Sequence, residues 1–363
     1  MDKNEIICPG ETIKELLEVY HYTQQDLAEK LNMDLKTVNE ILNGKAPITV
    51  DTAIKLELIF SIDAVFWNNL EFNYRKELKE LKEQELLEQE YSQIKNIYKE
   101  MVKRKLVLNT TNKYEMLENF KKFMEVVSID GLKREYDKVA CRKAKIILQE
   151  ISLLVWIQIG LKKAREIKVE EYERKKILSQ INEIRKLTLM TNQEKARTEL
   201  VKICQKCGII VNFEKSMPKT AIYGIAKWLN PNTAFIQVSD RGKNLATFWF
   251  TFMHELGHIV DGRKKICFLD IDEHQIEEDQ DNQIIKELEE FKADKFSRNS
   301  LIPEKEYKQF VNQVQEHGIT NKSIIDFAKK IEIAPSIVAG RIKFDTKKYN
   351  DKILNSFTQK VEF

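Results

Sequence analysis

Glycine and proline are scarce in this chain, with 11 and 6 among 363 residues. Both punctuate turns, so their shortage argues against a turn-rich β architecture and for long helices. Cysteine is sparse too. Cys8, Cys141, Cys204, Cys207 and Cys267 are odd in number and scattered. Such a set argues against a disulfide framework and suits reduced thiols in a cytoplasm. Net charge is nearly absent, a formal +3 left by 60 basic and 57 acidic side chains. Charge alone therefore selects neither nucleic acid, membrane nor acidic substrates. Long apolar runs are missing as well. The greasiest stretch, residues 151–161, is short, contains Gln158 and reads as a buried helix rather than a membrane span. The opening Met1-Asp2-Lys3-Asn4-Glu5 is too polar for the apolar core of a signal peptide, which again favours a cytoplasmic chain.

What is present is helical patterning. Residues 1–75 read as a compact helical domain. Thr23 precedes Gln24-Gln25-Asp26, a helix start with a carboxylate three residues on, and Leu27, Ala28 and Leu31 supply its apolar face. A second helix follows the N-cap Asp34, with Val38, Ile41 and Leu42 inward and Asn43-Gly44 as its stop; Thr49 caps a third through Phe60. Residues 74–106 contain neither Gly nor Pro. Their stripe of Leu87, Tyr91, Ile94, Tyr98 and Met101 marks one long helix, packed either as a coiled coil or against another helix of the chain.

Asn109-Thr110-Thr111-Asn112 breaks that helix, and helical patterns resume over 114–127, over 133–167 and on toward Cys207. Charge runs such as Lys103-Arg104-Lys105 are solvated helix faces. After Cys207 short strands enter, Ile209-Ile210-Val211 and Phe235-Ile236-Gln237-Val238, with Asn230-Pro231-Asn232 as a turn. Helices follow over 248–260 and 286–299, the latter closed by Pro303, and then over 303–317 and 322–330.

The chemistry lies in His254-Glu255-Leu256-Gly257-His258, an H-E-x-x-H sequence. Residues four apart share a helix face, so both imidazoles can meet one Zn²⁺, and Glu255 beside them can take a proton from water. A third ligand is still needed. Glu290 and Asp294, again four apart, offer one: Glu290 completes a His₂Glu set, with Glu289 and Glu287 as rivals. Asp294 would accept a hydrogen bond from the far nitrogen of a ligating histidine. Phe291 and Phe296 would anchor this helix in the core, and Ala293 and Gly257 are small enough for the two helices to approach closely. Weaker features read as structural: Cys204 and Cys207 as core thiols, His317 as a helix end, and His274 with Asp270, Asp272 and Glu273 as a solvated loop. Nothing brings Tyr223 to the metal.

Two resemblances extend this reading. Trp228-Leu229-Asn230-Pro231, Ala234-Phe235-Ile236-Gln237-Val238-Ser239, the stretch from Phe248 through His258, Glu290-Phe291-Lys292-Ala293-Asp294-Lys295-Phe296-Ser297, Leu301-Ile302-Pro303 and the segment from Ile333 to Arg341 closely resemble the ImmA/IrrE metallopeptidases, over roughly residues 195–345. The resemblance implies a zincin-like fold, a small sheet packed on the active-site helix, and cleavage of transcriptional repressors. Lys292 stands where that family usually carries a second glutamate, a position not expected to bind metal. The second resemblance covers roughly residues 5–75. Cys8-Pro9-Gly10-Glu11-Thr12-Ile13, Thr23 through Leu31, Lys36-Thr37-Val38, Ile41 through Lys45, Pro47-Ile48-Thr49 and Phe66-Trp67-Asn68-Asn69-Leu70 resemble HigA-type helix-turn-helix antitoxins of the Cro/repressor kind. It implies that Lys36, Thr37 and Glu40 face bases with Asn39 nearby, and that Gln24, Asn43 and Lys45 hold phosphates. Residues 9–72 nevertheless carry only five lysines against eleven carboxylates, a weak electrostatic basis for DNA unless the domain dimerises or its basic groups cluster on one face.

The expected protein is mainly α: a helix-turn-helix bundle over 1–75, a helical region over 76–195, an α+β zinc metallopeptidase domain over 196–345 and a tail over 346–363. Its expected function is Zn²⁺-dependent cleavage of a repressor or antitoxin-like partner, with operator DNA and a homodimer as further associations and no membrane. An extended substrate would pair with the edge of the strand over 234–239. The alternative is a DNA-binding antitoxin or repressor whose metal site is structural or sensory.

Overall fold

A computed structural model describes residues 6–132, 150–262, 268–271 and 280–361. Met1 to Glu5, Cys141, Cys267, Asp272, Glu273, His274 and the 133–149 part of the expected 133–167 helix lie outside the described residues. Two compact units emerge. One runs through Lys95 and takes in Thr111–Leu117; the other comprises Asn96–Thr110 and the chain from Glu118 onward.

In the first unit, α1 (Pro9–Tyr20), α2 (Gln24–Leu31), α3 (Leu35–Leu42) and α4 (Val50–Phe60) enclose Ile13, Leu27, Leu31, Val38, Leu42, Leu56 and Trp67. Each start expected from the sequence carries its cap. Thr23 and Asp26 form a reciprocal capping box, Asp34 accepts Thr37 N–H at 2.8 Å, and Thr49 accepts Thr52 N–H at 3.2 Å. Gly44 takes φ 66°, the left-handed conformation the expected stop requires. The long helix α5 (Ala64–Lys103) begins well before residue 74 because Asp63 Oδ1 accepts Val65 N–H at 2.7 Å and starts it there. Its stripe packs within the chain. Lys113 sits 5.1 Å from the Tyr91 ring in the first unit, while in the second Asn119 Nδ2 donates to the buried Tyr98 hydroxyl at 3.2 Å.

The second unit adds α6 (Lys113–Met124, its C-terminal part), α7 (Glu150–Ala164), α8 (Arg174–Ser179), α9 (Ile181–Leu187) and α10 (Gln193–Gln205). A four-stranded sheet follows, β1 (Ile209–Glu214), β2 (Ile222–Asn230), β3 (Thr233–Ser239) and β4 (Phe268–Ile271), in the order β1-β3-β2-β4. β1 runs parallel to β3; β2 is antiparallel to both β3 and β4. Ala226, Ala234, Ile236 and Val238 join the core on the side of α11 (Leu245–Asp261), whereas Phe235 and Gln237 meet Gly160 of α7 on the other. Both faces are therefore covered, and β3 is buried along nearly its whole length. The apolar stretch 151–161 is the helix that covers the second face, and no described helix is long and apolar enough to cross a membrane.

The structure corrects two expectations and adds strands that the sequence pattern did not reveal. β3 is an interior strand paired on both sides, so its ladder groups are already used and it cannot offer an edge; β1 and β4 are the edges. Asp270 lies in β4, paired with Gly224, rather than in a loop. β2 lacked a clear alternation because Gly224 and Lys227 interrupt it. The Asn230-Pro231-Asn232 turn was its signal, since a two-residue loop into β3 needs a strand before it; Asn230 Oδ1 accepts Asn232 N–H at 2.8 Å there.

The chain continues through α12 (Gln280–Leu301), α13 (Glu304–His317), α14 (Asn321–Lys330), α15 (Pro335–Thr346) and α16 (Lys352–Ser356). The last residues close the core. Leu354 and Val361 are buried in it, Val361 N–H donates to Lys243 O at 3.2 Å, and Leu245 N–H donates to Gln359 O at 2.8 Å at the start of α11. Leu354→Ala is expected to destabilise the second unit by about 2–5 kcal/mol, the range for emptying a filled core position. Its urea unfolding transition measures this.

Candidate metal centre

α11 starts where Asn244 Oδ1 accepts Thr247 N–H at 2.8 Å and stops at Gly262, φ 80°. Almost every side chain between is buried, with Trp249, Phe252, Met253 and Leu256 fully so. A helix apolar on nearly all sides is a core helix, so polar groups on it are held with little freedom. His254 and His258 emerge one turn apart with Nε2 atoms 3.0 Å from each other.

α12 packs against this turn because both helices are small at the crossing. A Cβ on Gly257 would lie 3.1 Å from Ala293 Cα and 3.3 Å from its carbonyl oxygen, too tight without a shift. Ser297 Oγ donates to Phe250 O at 2.8 Å and fixes the rotation of α12. Glu290 is thereby carried to the imidazoles: its Oε2 lies 3.1 Å from His254 Nε2 and 3.7 Å from His258 Nε2. Of the rivals, Glu289 is not in this cluster, and the Glu287 side chain falls outside the description. Phe291, expected in the core, is 62% exposed, because Glu290, Ala293, Asp294 and Ser297 occupy the inward face and Phe291 lies about 100° round the helix from Glu290. Phe296 packs on the core as expected. Lys292 pairs with Asp261 at 3.8 Å, away from the donors.

Charge states follow from these contacts. Burial opposes ionisation of Glu290, but hydrogen bonds with His254 and His258 outweigh it and hold the carboxyl well below its usual range. Asp294 behaves likewise, burial opposed by its bond with His254. Burial pushes His258 below the usual histidine value, toward the neutral form that ligates metals. His254 Nδ1 donates to Asp294 Oδ1 at 2.9 Å, the contact that would leave Nε2 to ligate once a metal displaces its proton.

The His254 Nε2 atom and an ionised carboxylate oxygen thus face one another at 3.1 Å beside a second imidazole. That donor set calls for a cation. Tetrahedral Zn²⁺ ligands at about 2.0–2.1 Å lie roughly 3.3 Å apart, and separations of 3.0, 3.1 and 3.7 Å straddle that spacing. These three residues fit the ion.

Glu255 points to the sheet. It is fully buried, and its Oε1 would lie 2.7 Å from a Cβ built on Gly224 of β2. Only a residue without a side chain leaves that space, a role for Gly224 that the sequence pattern did not reveal. Tyr223, its neighbour, stacks under Arg241, whose guanidinium carbon lies 5.2 Å from the ring centroid. Cys204 and Cys207 are buried free thiols in the core. Burial raises both above their usual range, and they are inert there.

In the first unit, Lys36, Asn39, Glu40, Asn43 and Lys45 line one open concave surface with Leu35. Gln24 is exposed at the start of α2, outside that surface. The Thr37 hydroxyl donates to Asp34 Oδ2 at 2.6 Å and is taken up by the cap; Asn43 Nδ2 donates to Asn39 O at 2.8 Å.

The fold and these sites define a helix-turn-helix protein joined to an α+β domain with a histidine–glutamate metal-binding geometry. Comparison with known families agrees in both parts: the chain carries a helix-turn-helix domain over residues 13–67 and a domain matching the Peptidase_M78 family, IrrE N-terminal-like, over residues 204–342. Virulence-associated protein I of Dichelobacter nodosus is 33% identical over 87 residues, 23% of this chain and 81% of that protein. Among solved structures, an addiction-module antidote protein of the HigA family from Coxiella burnetii is 34% identical over 23% of this chain and 94% of its own, with TM-score 0.21. A Pseudomonas aeruginosa protein solved in complex with its operator DNA is 32% identical over 23% of this chain and 90% of its own, again with TM-score 0.21.

Proposed function

We propose that the chain is a cytoplasmic zinc-dependent endopeptidase that cleaves a repressor or antitoxin-like protein. The observation that carries this reading is the convergence of His254, His258 and Glu290, from two helices, next to the buried Glu255. His254, His258 and Glu290 would hold Zn²⁺. When bound, the ion supplies Lewis acidity to a scissile carbonyl and acidity to water. Asp294 keeps the His254 proton on Nδ1. The Glu255 carboxylate accepts the proton of the attacking water and passes it to the leaving amine. With β3 interior, an extended substrate segment would pair at the β4 edge, beside the strand that carries Gly224.

The test is incubation of the zinc-loaded chain with the protein encoded beside it, followed by intact-mass measurement. Cleavage in two fragments that stops on chelation supports the reading. An uncleaved partner with zinc stoichiometrically bound would leave the second reading, an operator-binding antitoxin or repressor with a structural or sensory metal.

Operator binding is proposed as a companion activity. Gln24, Lys36, Thr37, Asn39, Glu40, Asn43 and Lys45 are its residues. Two exposed lysines on the α3 side are too few against eleven carboxylates, so the head would work as a homodimer. The exposed apolar stripe Val50, Ile54 and Leu58 on α4 suits a second copy of this chain. With about four phosphates neutralised per dimer, the log–log dependence of affinity on salt should have a slope of about −3 to −4. Leu58→Glu is expected to yield monomers by sedimentation and to abolish a band shift on the chain's own promoter. A monomeric parent chain would refute the dimer.

A further inference from the structure

Asp294 is not the outermost group that orients His254. Its second oxygen is engaged: Arg298 Nη2 donates to Asp294 Oδ2 at 3.1 Å, one helical turn on. Arg298 in turn has its guanidinium carbon 4.9 Å from the ring centroid of Phe344, on α15. A continuous series therefore runs from the α15 ring through the guanidinium and the carboxylate to the imidazole that faces Glu290. Neither Arg298 nor Phe344 touches a metal donor atom. We infer that Arg298 is a positioning residue for metal binding, acting through Asp294, with Phe344 setting the plane of its guanidinium.

The physical reason lies in the freedom of a carboxylate. Asp294 is half exposed, and a lone surface Asp can rotate about its side-chain bonds and let water replace the imidazole contact. A guanidinium on the opposite oxygen removes that rotation, because Oδ1 and Oδ2 are then held at once by groups on different elements. The Nδ1–H of His254 keeps its acceptor, and Nε2 stays aimed at Glu290. A lysine supplies charge without the planar fork, and its ammonium lacks the flat face that stacks on Phe344. The i,i+4 pairing of Asp294 with Arg298 alone would be worth little at a helix surface. Its importance comes from the histidine on the far side of the carboxylate.

The inference rests on the metal reading above, and a double-mutant cycle on Zn²⁺ affinity separates the two. Affinity is measured on the full chain by competition with a chromophoric chelator. Asp294→Asn is expected to weaken zinc about 10–100-fold, as loss of a partner to a ligating histidine does. Arg298→Met, which keeps the stem, is expected to weaken it roughly 5–10-fold, and Arg298→Lys to recover part of that loss. In the Asp294→Asn background, Arg298→Met should cost nothing further, since the carboxylate it acts through is gone. The cobalt-substituted Arg298→Met chain should show an altered d–d spectrum, which a merely destabilised fold with an intact site would not.

If Arg298→Met weakens zinc equally with and without Asp294, or not at all, the inference is overturned while the zinc site stands. If the parent chain binds no zinc, the metal reading falls and takes this inference with it.

Discussion

Glu255→Gln is expected to bind Zn²⁺ as tightly as the parent and to cleave its protein substrate about 10²–10⁴-fold more slowly, the contribution of a positioned proton carrier. Binding survives because Glu255 is not among the three converging donors. Folding survives because the amide occupies the volume of the carboxyl against Gly224. What is lost is a group able to accept a proton. The pairing of measurements matters: zinc stoichiometry by absorption or mass spectrometry, and cleavage rate at saturating substrate. Equal rates for the two chains would remove Glu255 from the chemistry, and loss of zinc in Glu255→Gln would assign it to the metal instead.

The second large effect is on stability. Zn²⁺ at about a hundred times its Kd should stabilise the second unit by about 2.7 kcal/mol, roughly 5–10 °C in Tm for a domain of this size. The reason is geometric. The ligands come from α11 and α12, and only folding brings Glu290 within 3.7 Å of both imidazoles, so the unfolded chain has no comparable site. His258→Ala and Glu290→Ala should each erase the zinc-dependent shift. Differential scanning calorimetry, with the transitions of the two units followed separately, measures it. A shift that persists in Glu290→Ala would mean that zinc binds elsewhere.

The legible parts of the molecule were those set by local pattern. Thr23, Asp34 and Thr49 announced helix starts because an N-cap is a contact between residues three apart. His254, His258, Glu290 and Asp294 were legible because helical spacing puts each pair on one face. The Asp294–Arg298 pair had the same i,i+4 signal, but its importance depends on a histidine forty residues away. Phe291 misled because an aromatic in an amphipathic helix usually marks the buried face, whereas here the inward face is reserved for small and ligating residues. β2 and β4 were missed because a short strand is defined by its neighbour: Gly224 reads as a breaker until Glu255 is seen filling its space.

By itself, then, the order of amino acids determined the helices, their caps and the spacing that presents two imidazoles and two carboxylates on two separate faces, since these depend on contacts within a turn or two. Only the tertiary structure decided that those faces meet, that β3 is interior, that Leu354 and Val361 seal the core, and that Arg298 stands behind Asp294. Those facts come from packing between segments far apart in the chain, where the close approach at Gly257 and Ala293 selects which surfaces touch.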